Sequence, residues 1–138
     1  MKIEDQVCSL ELAKRLKELG VKQESFCWWV EPEYTNDKEP FVQAEFPAGH
    51  TARTHIASAF TVAELGEMLP ITIHGDFDHL ICDKAIQHWF VYYSCDREGS
   101  PRPKGGLYLQ TESTEANARA KLIVYLLENK FLNPDVLS

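Results

Sequence analysis

The 138-residue chain is long enough to bury a sizeable core and has little room for a second one, so residues 1–138 read as a single domain that needs neither metal nor disulfide to fold. Three Trp, five Tyr and seven Phe within a 44% apolar composition argue against disorder, because each ring can bury a large area. The formal net charge of −7 disfavours nucleic acid as a partner, since recognition of phosphates depends on clustered Lys and Arg.

Met1-Lys2-Ile3-Glu4-Asp5-Gln6 lacks the apolar core of a signal peptide, and no apolar run approaches the length of a membrane span. Cys8, Cys27, Cys82 and Cys95 are too widely spaced for a CxxC redox site or a zinc knuckle. They read as reduced thiols in a cytoplasmic protein, and no cofactor is implied.

Ser9 is placed to cap a first helix over about residues 9–19, which Gly20 would close, with Cys8, Leu12, Leu16 and Leu19 on its buried stripe. Phe26 to Glu31 predicts a strand with apolar residues on both faces, Trp28 and Trp29 among them. A proline-bearing polar loop follows, then a second strand at about 41–46. Thr61-Val62-Ala63-Glu64 matches the capping box, and Pro70 stops the resulting helix, predicted over 62–69.

Strands are then expected at about 71–74, 77–82, 87–94 and 106–110, with a Gly- and Pro-rich loop from Asp96 to Gly106. The last helix should run from about Thr114 to Lys130, with Ala116, Ala120, Ile123, Val124, Leu127 and Phe131 on its core stripe. Leu122, Tyr125 and Leu126 fall outside that stripe, which calls for cover from a neighbouring element or a second subunit. The expected fold is α+β, in the order α-β-β-α-β-β-β-β-α. A curved antiparallel meander is packed by the N- and C-terminal helices.

The most site-like cluster is His74, Asp76, Asp78 and His79, whose side chains have the chemistry to hold a divalent metal for a hydrolase. Gly and Asp are equally the residues of a polar hairpin turn. His50 and His55 have zinc-finger spacing without the cysteines that should precede them. Glu64 and Glu67 could pair for acid–base work, although Glu64 already serves the capping box. Trp28 or Trp29 beside Tyr92 or Tyr93 could stack the bases of a single strand, with Arg97, Arg102 and Lys104 as the local basic group. Core packing explains most of these rings as well. Glu31, Glu33, Asp37, Glu39 and Glu45 form an acidic stretch, read as a solvated loop or a surface for a basic partner.

Two stretches, Thr61-Val62-Ala63-Glu64-Leu65-Gly66-Glu67-Met68-Leu69-Pro70 and Thr114-Glu115-Ala116-Asn117-Ala118-Arg119-Ala120-Lys121-Leu122, stand in one chain with Ser9-Leu10-Glu11-Leu12-Ala13-Lys14 and the tryptophan strand. In that order they resemble small uncharacterised proteins of bacteriophages and prophages. The resemblance implies an accessory protein of a mobile element and carries no catalytic residues. The leading expectation is a non-enzymatic protein that binds a protein partner, itself included as a homodimer. Leu122, Tyr125, Leu126 and Trp29 are its candidate interface residues.

Overall fold

The computed structural model describes residues 2–32, 39–44, 55–73, 78–94 and 106–137. In chain order these form α1 (Leu10–Glu18), β1 (Cys27–Val30), β2 (Phe41–Ala44), β3 (His55–Ser58), α2 (Val62–Met68), β4 (His79–Ala85), β5 (His88–Ser94), β6 (Gly106–Glu112) and α3 (Glu115–Glu128). The α+β class and its three helices and six strands agree with expectation among the described residues. The order, α-β-β-β-α-β-β-β-α, differs by one strand that lies before α2 instead of after it. The strands also divide into two antiparallel sheets, β2-β1-β3 and β4-β5-β6, in place of one curved sheet.

The displaced strand has a local cause. Ile71–Ile73 has strand-like residues, but the Ile73 N–H donates to the Asp78 carboxylate (3.0 Å) and Ile71 C=O accepts from Leu80 N–H (3.0 Å). The segment is clamped by a side chain and one backbone bond, with no ladder. His55–Ser58, poor in strand-favouring residues, is held as β3 by pairing with β1, where Trp28 lies opposite Ser58 and Trp29 opposite Ala57.

Each helix starts where its cap predicts. Ser9 accepts from Leu12 N–H, Thr114 from Asn117 N–H, and Thr61 and Glu64 complete their reciprocal box. The second Glu64 oxygen accepts from Phe26 N–H (3.2 Å), tying α2 to the residue before β1. Gly20, at φ +92°, closes α1 in the left-handed conformation that a side chain would oppose.

The main core joins all three helices to both sheets, with Leu16, Ala57, Phe60, Leu65, Val91, Tyr93, Leu122, Ile123 and Leu126 among its buried residues. α3 packs against α1, α2, β5 and β6. A smaller cluster of Val7, Cys27, Val42 and Ala59 lies beside it, and Trp29 touches both. The Trp29 indole N–H donates to Cys8 C=O (3.0 Å), which satisfies the ring's one polar atom where it is half-buried.

Removing the α2 cap strips Glu64 N–H of its acceptor and Glu64 of one of its three donors. Thr61→Ala should therefore cost about 1–2 kcal/mol in a urea titration, with an unchanged m-value. Leu122→Ala, at a fully buried α3 position, should cost more, about 2–5 kcal/mol. A Leu122→Ala effect under 1 kcal/mol would contradict the packing described.

Candidate functional site

The β4–β5 hairpin runs from this core to an exposed turn. Direct pairing puts Leu80, Cys82 and Lys84 beside Tyr93, Val91 and Trp89 on the face toward the core. Ile81 and Asp83 lie beside Tyr92 and Phe90 on the other face. Toward the tip the core contacts end: Asp83 to His88 are six consecutive exposed residues, and Ile86 is 97% exposed.

The stem is stapled on both faces. Tyr92 O–H donates to the Asp83 carboxylate (3.1 Å), and the Lys84 ammonium sits 5.5 Å from the Trp89 ring centroid. The two-residue turn is Ile86-Gln87, between Ala85 and its partner His88. Neither turn residue has the positive φ of the primed turns usual in such hairpins, where Asn and Gly predominate. The tip is thus a braced stem carrying one large apolar side chain into solvent.

A cleft of about 450 Å³ lies at the start of α3, lined by Gln6, Val62, Trp89 and Thr114 with Asp5 and Glu115 as its carboxylates. Glu115 is not available to a ligand as a bare charge, because Arg119 binds it through both Nε (3.1 Å) and Nη2 (2.6 Å). Arg119 crosses α2 at Gly66, where a Cβ would collide with the guanidinium, and reaches Val62 C=O. The other carboxylate of the cleft, Asp5, is exposed, and the Lys84 ammonium lies over the Trp89 ring.

The metal cluster expected from sequence is not assembled among the described residues. His74 and Asp76 lie outside them. Asp78 is buried and serves as the acceptor for Ile73 N–H, while His79 is exposed on β4 opposite Ser94. No group of three or more His, Cys, Asp or Glu among the described residues could hold a metal ion. His50 is also outside the described residues, and His55 stacks on Trp28, with ring centroids 4.6 Å apart. Glu64 is the capping partner, and Glu67 an exposed residue of α2.

The expected aromatic platform is divided. Trp28 and Trp29 belong to one sheet and Tyr92 and Tyr93 to the other. Tyr93 is fully buried, its hydroxyl donating to Pro70 C=O (2.7 Å). Arg97, Arg102 and Lys104 lie outside the described residues, as do Glu33, Asp37 and Glu45 of the acidic stretch, while its Glu31 and Glu39 are exposed.

The interface candidates also need correction. Leu122 and Leu126 are fully buried by the chain's own elements, because α3 is covered by two helices and a sheet. Tyr125 is half-buried and stacks on Tyr108, 5.3 Å between centroids, and Trp29 is half-buried between the two clusters. Of the two explanations for the apolar excess of α3, a neighbouring element supplies the cover. The sequence reading missed Ile86, since one apolar residue in the polar stretch Asp83-Lys84-Ala85-Ile86-Gln87-His88 has no periodicity to mark it.

The described thiols are shielded. Burial raises Cys8 from the ordinary 9.0 to about 12, and Cys27 and Cys82 are also raised, burial being the largest cause in each. None is set up as a nucleophile, which needs the thiolate.

No protein-family model, curated protein or solved structure matches the chain. Among the described residues, no helix is long and apolar enough to cross a membrane.

The raised thiols give a pH dependence of fixed sign. Once unfolded, Cys8 ionises near its ordinary value, whereas the fold holds it protonated. Its contribution is complete below about pH 9 and is lost as pH rises toward 12. Burial, with Asp78 nearby, raises the Tyr93 phenol as well and adds to the loss at higher pH. The urea midpoint should fall through this range, and less steeply in Cys8→Ala; a flat midpoint would contradict the assignment.

Proposed function

We propose that this is a non-enzymatic accessory protein that binds a protein partner, with the tip of the β4–β5 hairpin as its anchor. The observation that carries the reading is Ile86, 97% exposed at the end of a stem whose two faces are stapled. An exposed side chain on a braced hairpin loses little conformational freedom on docking. Burying an isoleucine in an apolar socket is worth about 1.5–3 kcal/mol, roughly ten- to a hundredfold in affinity.

A protein socket fits the tip better than the other surfaces such a side chain could meet. One isoleucine is a small membrane anchor, and a net charge of −7 opposes approach to anionic lipid or nucleic acid. The sequence resemblance to phage and prophage proteins supports a role in a mobile element, acting on a component of that element or of its host.

A photo-crosslinking amino acid at position 86 should capture a discrete partner from cells carrying the native gene, while the same group at the exposed Lys14 of α1 should not. Ile86→Asp should abolish co-purification of that partner and leave thermal stability unchanged. Retention of every partner by Ile86→Asp would sink the proposal.

A further inference from the structure

The sheet β4-β5-β6 has two outer edges, and their chemistry differs. The Leu80 N–H bonds Ile71 C=O, so even-numbered residues of β4 turn their backbone groups away from β5. Across the Ala85–His88 closing pair, odd-numbered residues of β5 then face β6, where Trp89 meets Glu112 and Val91 meets Gln110. Leu109 and Thr111, both exposed, accordingly turn their N–H and C=O groups to the open side of β6. Among the described residues no strand pairs there.

We infer that β6 pairs with β6 of a second copy, antiparallel about a two-fold axis at Gln110, to give a continuous six-stranded sheet. In this register Leu109 of each copy exchanges backbone hydrogen bonds with Thr111 of the other, and the two Gln110 residues lie opposite each other. The strand, Gly106-Leu107-Tyr108-Leu109-Gln110-Thr111-Glu112, has no Pro or Lys to blunt its edge. Its one charged residue, Glu112, is already paired with Lys121 of the same chain, so the two-fold brings no uncompensated like charges together. At the other end Tyr108, at φ +59°, and the register shift between Val91 and Tyr93 bend β6 and confine the new ladder to Leu109–Thr111.

The β4 edge cannot form the equivalent pair. A two-fold between Cys82 and Lys84 would set Asp83 against Asp83, and one at Lys84 would oppose two ammonium groups. A two-fold at Cys82 would need the Leu80 N–H that Ile71 already holds. Pairing through β6 therefore ends in β4 on both sides, a closed dimer that does not extend into a fibre. The inference is independent of the hairpin proposal, and each can fail without the other.

Sedimentation of the full chain over a concentration series should show a monomer–dimer equilibrium. Thr111→Pro removes one outward N–H per copy and should weaken the dimer on the order of thirtyfold or more, with the fold checked by circular dichroism. Leu109→Lys, which keeps every backbone donor, should weaken it as well. The two-fold brings the residue-110 side chains together at a closely spaced pair, so Gln110→Cys should form a disulfide-linked dimer under mild oxidation, beyond the wild-type background, and Lys84→Cys should not. A monomer at all concentrations, or a dimer that survives both edge substitutions, would overturn the inference.

Discussion

Enclosure of α3 is the constraint on which the other elements depend. Seven of its fourteen residues are buried, against α1, α2 and the β5–β6 surface. Ala116, Ala118 and Ala120 leave room at its N-terminal half for neighbours to approach closely, while Leu122, Ile123, Leu126 and Leu127 fill the space beyond. The helix is also fastened by a polar bond across the chain: the Asn117 side-chain oxygen accepts from Ser9 N–H (2.7 Å). Asn117 thereby joins the N-terminus of α3 to the residue that caps α1, and two helix starts more than a hundred residues apart hold each other in place.

That enclosure explains what was legible in the sequence. Caps are local chemistry, so Ser9, Thr61 and Thr114 marked their helices within a residue or two. β5 was legible because Trp89 to Tyr93 strongly favour strand. β3 was not, because His-Ile-Ala-Ser has little intrinsic preference and becomes a strand through β1. The division into two sheets could not be read from period-two patterns, which place residues on faces without saying which strands share hydrogen bonds.

The candidate site was less legible than the fold. A stripe of surplus apolar residues on a helix says that cover exists, and cannot say whether it comes from the same chain; for Leu122 and Leu126 it does. Clustered His and Asp invite a metal, but a carboxylate that receives a backbone N–H looks the same in sequence; Asp78 accepts from Ile73 N–H, while His74 and Asp76 lie outside the described residues. Ile86 carries the opposite lesson. It matters through where the hairpin ends, which depends on the Ala85–His88 register, and a single residue cannot reveal a register.

The distribution of charge along the β4-β5-β6 sheet separates two kinds of contact. Asp83 and Lys84 flank the hairpin tip, and both are engaged, Asp83 by Tyr92 and Lys84 by Trp89. They brace the strand that leads to Ile86 and also make the β4 edge a poor template for another strand. β6 has the reverse arrangement, with exposed Leu109 and Thr111 on an uncharged stretch beside a neutralised Glu112. A tip that offers a side chain selects its partner by the shape of a socket, whereas an edge that offers backbone groups selects by register. Because the protective charges lie at β4 and the open amides at β6, one sheet can keep its hairpin free for a partner while its opposite edge is closed by a second copy.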